Sequence, residues 1–305
     1  MNEINRICNA TNLTYLPKAK IARINEGLDK YWFYAAEAAP QGTLDDTSYS
    51  SAPIETQNLV SGTNAYKIAS FTNKVLQILR VEALDSNGNG YDLVYQDFED
   101  IPDFQQEYST TLATGLPQYW TKLGDYIYVT PTPNYNYTAG LRCYVNRRLS
   151  QSSYVTFTTT IAAPGVATAT AHGLVDGDAV LLFTDGALPT GLTAEQTVYY
   201  IDQQTVDTWK WCTTPGNVGS TFITTSGSQS GTHKFVKVSG EPGIPVIHHT
   251  FLARFASDKF MKSDHPNFAK NREELANDKR DIQDYWQSVV RPGKTIMENK
   301  RRAFK

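Results

Sequence analysis

The chain is poor in the features that usually place a protein quickly. Its three cysteines, Cys8, Cys143 and Cys212, stand far apart in 305 residues. That spacing makes neither a disulfide framework nor a zinc site, and it fits a reducing compartment. No apolar run approaches the roughly 20 residues that span a bilayer, so no membrane role is expected. The opening MNEINRICNA lacks the basic-then-apolar order of a signal peptide, which points to synthesis in a cytoplasm. The net charge is only −3, too little to draw the whole molecule to nucleic acid or membrane. There is no G-x-S-x-G elbow, Walker loop or dinucleotide glycine run. No acid–base pair stands out either, so enzymatic activity is not expected.

Apolar residues make up 40 % of the chain, enough for a sizeable core in about two domains. Gly, Pro, Thr, Ser, Asn and Tyr are plentiful and lean towards β-structure and turns. The pattern changes four times along the chain.

Residues 1–39 read as helical. Ile4, Ile7 and Cys8 share one face, and after a break Ile21, Ile24, Leu28, Tyr31 and Ala35 recur at helical spacing until Pro40 and Gly42. Residues 50–148 then read as a small antiparallel sheet from VLQILRVEAL, YDLVY, PQYWTKL, YIYVTP and LRCYVNRR. A tight hairpin is expected at Gly124–Asp125, and DFEDIPDFQQEY reads as a short crossing helix.

Residues 151–237 differ in composition. They hold 18 Thr in 87 residues, with Lys210, Lys234 and Lys237 as the only basic residues. Seven short strands with turn signals (YVTFTTT, GVATATAH, AVLLFT, TVYYID, TWKWCT, TFITT, THKFVK) predict a compact sandwich or barrel, inserted into a surface loop. From Ile244 to residue 290 helical spacing returns. Ile247, Phe251 and Phe255 form one face, and Phe268, Leu275, Ile282 and Val289 repeat every seven residues beside Tyr285 and Trp286. Residues 291–305 carry six basic residues and one acid without an apolar period, so they read as an extended arm.

The fold class expected is therefore α+β. Helices from both chain ends (1–39 and 244–290) would pack with the sheet as a core of residues 1–150 and 238–290. The all-β insert, 151–237, and the basic arm, 291–305, complete the chain.

Few residues invite a chemical role. LDSNGNGYDLVYQ sets Asp85, Asn87, Asn89 and Gly90 as in the first half of an EF-hand loop. Its flanks are strand-like and position 12 is Gln96, so a hairpin turn is the better reading. Of the five histidines, His248 and His249 are adjacent and point to different helix faces, while His172 and His233 read as turn or strand-edge residues. Asp176, Asp178 and Asp185 lie in Gly-rich turns and motivate no more than a minor hydrolase reading. Trp209 and Trp211 alternate onto one sheet face, which is either core or a sugar- or protein-binding platform. Ile296, Met297 and Phe304 among Arg291, Lys294, Lys300, Arg301, Arg302 and Lys305 tilt the arm towards docking on a protein.

Several phrases are familiar together: NEINR, GLDKYWFYAAEA, PIETQNLVSGTNAYKI, ILRVEALDSNGNGYDL, GLPQYWTKLGDYIYVTPTPNY and GIPVIHHTFLARFASDKF. With the order helix pair, sheet, helical segment and basic tail, the chain resembles the head-to-tail adaptor (connector or neck) proteins of tailed bacteriophages over residues 1–150 and 241–290. The resemblance implies a structural virion protein with no enzymatic activity and no cofactor. It would form a homo-oligomeric ring, usually a dodecamer, at the head–tail junction between the portal and a tail tube or nozzle protein. The arm from Arg291 to Lys305 would clasp the portal, and DNA would pass through the channel without specific binding. The Thr-rich insert would sit outside the ring, bracing neighbours or holding tail fibres. A second reading makes the chain a virion surface-binding protein for carbohydrate or fibre attachment, acting through Trp209 and Trp211.

Overall fold

A computed structural model describes residues 2–40, 51–97 and 113–290. It is a mixed α+β structure with four α-helices and several sheets, among them a closed six-stranded barrel. The chain forms two compact units. One joins the residues up to Tyr31 with Ser150–Ile282, and the other joins Trp32–Leu149 with the residues from Gln283. The sequence reading set both helical ends with the sheet region, whereas these contacts group much of the helical structure with the barrel.

In the first unit, helix α1 (Asn2–Cys8) buries Ile4 and Cys8, and α2 (Pro17–Ala38) buries Ile21, Leu28 and Tyr31 in its share of the helix. Helix α3 (His249–Asp258) buries Phe251, Leu252, Phe255 and Ala256. α2 and α3 approach closely at Gly27, where an added Cβ would lie 3.1 Å from Leu252 and 3.2 Å from Phe255. The Tyr15 hydroxyl donates to the Ala256 carbonyl at 2.9 Å, and burial pushes its pKa up to about 12. Ile247 does not share the face of Phe251. It lies in a 3₁₀ turn, Val246–His248, ahead of α3, and is largely exposed, because the tighter winding of that turn shifts its phase.

Helix α4 (Phe268–Val290) is tied to α3 by Arg254, which pairs with Glu274 at 3.0 Å and Asp278 at 2.5 Å. Its heptad residues are unequally covered: Ile282 is fully buried, Phe268 and Leu275 are half-buried, and Val289 is exposed. The seam expected along the whole helix is therefore filled only in part.

The barrel consists of β11 (Val155–Thr159), β12 (Val166–Thr168), β13 (Ala179–Thr184), β14 (Val198–Gln203), β15 (Thr208–Cys212) and β16 (His233–Lys237). Its order, β11-β12-β15-β14-β13-β16, closes on itself with every pair antiparallel. The strands are six, not seven. TFITT bonds singly to different partners, Ile223 N–H to the Trp211 carbonyl and Thr225 N–H to that of Ala162, so it forms no ladder.

Alternation along β13 explains its unbroken apolar run. Val180 and Leu182 point into the barrel core. Leu181 and Phe183 point outward, where Ile21 of α2 joins them and Val236 in a second cluster. A strand covered on both faces has no polar side to show.

The second unit holds two four-stranded sheets. One is β1-β10-β3-β4, built from β1 (Ile54–Leu59), β3 (Val75–Leu84), β4 (Gly90–Asp92) and β10 (Tyr137–Arg147). The other is β2-β8-β7-β5, from β2 (Ala65–Lys67), β5 (Val94–Tyr95), β7 (Tyr119–Leu123) and β8 (Tyr126–Thr130). Their inner residues share one core, with Val81, Leu141 and Cys143 from the first and Tyr66, Trp120 and Ile127 from the second. The hairpin at Gly124–Asp125 joins β7 and β8, and Gly124 takes a φ of 59° that suits glycine. The single antiparallel sheet expected is instead two sheets. β5 and β7 run parallel, as do the short strands β6 (Thr114–Gly115) and β9 (Thr132–Pro133). Most of DFEDIPDFQQEY lies outside the described residues.

Candidate functional site

Asp85 opens the turn that joins β3 to β4. Its carboxylate accepts from Asn87 N–H at 2.8 Å, from Asn89 N–H at 2.9 Å and from the Asn89 amide at 2.9 Å. These bonds, led by the Asn89 side chain, hold its pKa below the usual carboxylate value. The acidic oxygens are spent on folding a hairpin, as the strand-like flanks required.

Trp209 and Trp211 are both wholly buried. They point into the barrel with Phe157, Tyr199 and Phe235, and their rings meet edge-to-face at 5.3 Å. The platform reading of these two residues is corrected: their shared sheet face is the inside of a closed barrel. Lys210, between them, points out and lies over the Phe222 ring at 4.5 Å. The portal-docking residues assigned to Arg291–Lys305 lie outside the described residues.

The acidic residues of the insert serve separate loops. Asp176 accepts from Gln203 N–H at 2.6 Å, Asp185 from Thr232 N–H, and Asp178 from Val175 N–H and the Ser239 hydroxyl, both at 2.9 Å. Asp178 also pairs with Lys237 at 2.7 Å. Burial pushes its carboxyl up, but the bonds from Lys237, Val175 and Ser239 outweigh burial and hold it below its ordinary value.

The histidines are dispersed. His172 Nδ1 accepts from Leu174 N–H at 2.9 Å, with its ring against Trp209. His249 Nε2 donates to the Ile244 carbonyl at 2.9 Å. His233 opens β16, buried, with its pKa lowered chiefly by that burial. Gln229 gives its amide N–H to the Thr159 carbonyl, so its oxygen accepts from His233 Nε2–H at 3.2 Å. Nδ1 then accepts from the Thr184 hydroxyl at 2.9 Å.

Two features present side chains outward. The first is the segment Gly90–Tyr95, which is the outer strand of both sheets in the second unit: β4 ends one and β5 the other. Only Leu93 between them is buried, whereas Tyr91, Val94 and Tyr95 are 43 %, 57 % and 51 % exposed. The second is a cleft of about 190 Å³ beside the ends of β13 and β16, lined by Lys18, Tyr154, Asp185, Glu195, Lys234 and their neighbours.

No protein-family model matches the chain, and no curated protein matches it.

Among the described residues no three His, Cys, Asp or Glu side chains group as a metal ion would need. No helix there is long and apolar enough to cross a membrane. Of the cleft residues, sequence reasoning singled out only Asp185. Lys234 carried a signal in being one of three basic residues in a Thr-rich block. Lys18 carried none, because it comes from a helix more than 130 residues away in sequence.

Proposed function

We propose that this chain is a structural virion protein of a tailed bacteriophage: a ring-forming head-to-tail adaptor that joins the portal to the tail and lines the genome exit channel. It works through surfaces offered to copies of itself and to the portal, without catalysis. In this reading the barrel is an inserted decoration, and Arg291–Lys305 is the portal-docking arm.

The observation that carries the reading is the double edge at Gly90–Tyr95. Among the described residues no further strand pairs with β4 or β5. Monomeric proteins usually guard such edges with charge, proline or a bulge, because free N–H and C=O groups flanked by apolar side chains recruit another chain. Here Tyr91, Val94 and Tyr95 line the edge, with the exposed ion pair Arg80–Asp92 as its charged element. A ring subunit needs two different faces that are complementary to each other, and a closing rotation. An open apolar edge is suited to be one of them. The family phrases and the basic composition of residues 291–305 support the portal end of the reading.

The test is the mass of the purified protein with and without portal. A ring is expected on the portal template. Deleting residues 291–305 should leave the subunit folded and abolish stable attachment. Unchanged attachment would remove the arm from the proposal, and absence of the protein from the head–tail junction of purified particles would remove the function. The surface-binding alternative loses its motive at Trp209 and Trp211, since neither indole reaches solvent.

A further inference from the structure

The cleft in the first unit carries four ionised side chains that do not satisfy one another. Lys18 and Lys234 supply two ammonium groups, and Asp185 and Glu195 two carboxylates. No lysine–carboxylate pair among them comes within 4 Å. Asp185 accepts from Thr232 N–H, while the exposed Lys18 and Lys234 and the half-buried Glu195 have no bonded protein partner among the described residues. Tyr154 and Phe183 meet edge-to-face at 5.1 Å and give the cleft an aromatic side.

Glu195 is held in place at a conformational cost. Its φ is 61°, a left-handed value uncommon for a residue with a Cβ. Its N–H is anchored to the Leu182 carbonyl at 2.8 Å, which joins that backbone to the core strand β13. A glycine would take this conformation freely, yet the position holds a carboxylate facing two free lysines' cleft. Strain of this kind persists where the surrounding structure enforces it, and it is often found at ligand sites.

We propose that this cleft binds a small zwitterion of amino-acid size, with Lys18 and Lys234 taking its carboxylate and Glu195 its ammonium group. Volume sets the scale, since 190 Å³ is below the usual range for drug-sized ligands and suits a ligand of about ten heavy atoms. Charge sets the class. A neutral sugar would partly desolvate the charged groups without a countercharge for any of them, and a simple anion would leave Glu195 and Asp185 repelling it. A ligand with both signs meets both kinds of charge. The aromatic side formed by Tyr154 and Phe183 then packs against the ligand's carbon skeleton. The inference is independent of the adaptor reading and stands or falls without it.

The test is calorimetric titration of the full-length protein with L-glutamine, beside glucose and citrate as neutral and purely anionic comparators. Saturable binding of L-glutamine is expected, with glucose inert. Lys234→Met and Glu195→Gly should each weaken it about tenfold or more. Glu195→Gly also relieves the left-handed strain, so its melting temperature should match or exceed that of the parent chain, which separates lost binding from lost fold. Absence of saturable L-glutamine binding would overturn the proposal. So would a Glu195→Gly protein that binds as well as the parent, or citrate binding equally tightly and unaffected by Glu195→Gly, which would mark a plain anion site.

Discussion

The barrel of residues 155–237 and the paired sheets of residues 54–147 are both β-rich, but they treat their edges in opposite ways. The barrel closes β16 onto β11, so every strand has a neighbour on each side. Its large rings point inward, and among its exposed apolar residues Ile161, Val175 and Val206 sit singly in three different loops. Among the described residues the paired sheets stay open, and Tyr91, Val94 and Tyr95 are exposed within one six-residue outer segment, while Ile54, Val60, Leu76, Leu123 and Tyr126 are exposed elsewhere in the region. Closure uses up backbone donors and acceptors internally, whereas an open edge keeps them on offer. The first region uses up its strand edges internally, whereas among the described residues the second keeps one exposed, and the proposed assembly rests on that difference.

The sharpest way to break this contrast is at the barrel core. Trp211→Ala should cost about 3–5 kcal/mol, because it empties a site lined by Phe157, Tyr199 and Trp209. Thermal unfolding would show it, and a loss well under 1 kcal/mol would mean that the indole is not core. Next is Asp178→Asn, which removes the Lys237 pair and weakens two further bonds, for about 1–3 kcal/mol.

The same group makes the barrel acid-sensitive. Because its folded pKa is lowered, its contribution is present above the ordinary Asp value near 3.8 and is lost as pH falls through the folded value. A denaturation series from pH 6 to pH 2 should show a smaller acid loss for Asp178→Asn than for the parent.

The smallest effect on stability is expected at the open edge. Val94→Lys places a charge on an exposed strand position and should shift unfolding by no more than about 0.5 kcal/mol. Its effect on self-association on the portal should be large, as read by mass measurement. A variant that still assembles fully would free the edge from the role assigned to it.

Much of this molecule was legible in residue order where periodicity and turn chemistry agree. α2 follows from Ile21, Leu28 and Tyr31, the β7–β8 hairpin from Gly124–Asp125, and all six barrel strands from short β-rich runs between turns, of which only TFITT forms no strand. Legibility failed where a residue's meaning depended on distant chain. Alternation placed Trp209 and Trp211 on one face without saying whether that face was wet or dry. Ile247 matched a helical spacing that a 3₁₀ turn does not keep. The cleft escaped because Lys18, Tyr154, Glu195 and Lys234 share no local pattern. The arm of residues 291–305 rests on composition alone.

Local order was thus settled by short-range rules: 3.6- and 2-residue periods, glycine at a positive φ, and Asp85 gathering the N–H groups of its own turn. Which side of each strand faced water was settled only by folding. Burial is a property of whatever packs opposite, as Ile21 does over Leu181 and Phe183. The same holds for the unpaired charges of the cleft and for the double edge at Gly90–Tyr95. Each exists because tertiary packing brings separate segments together or, among the described residues, leaves one of them without a neighbour.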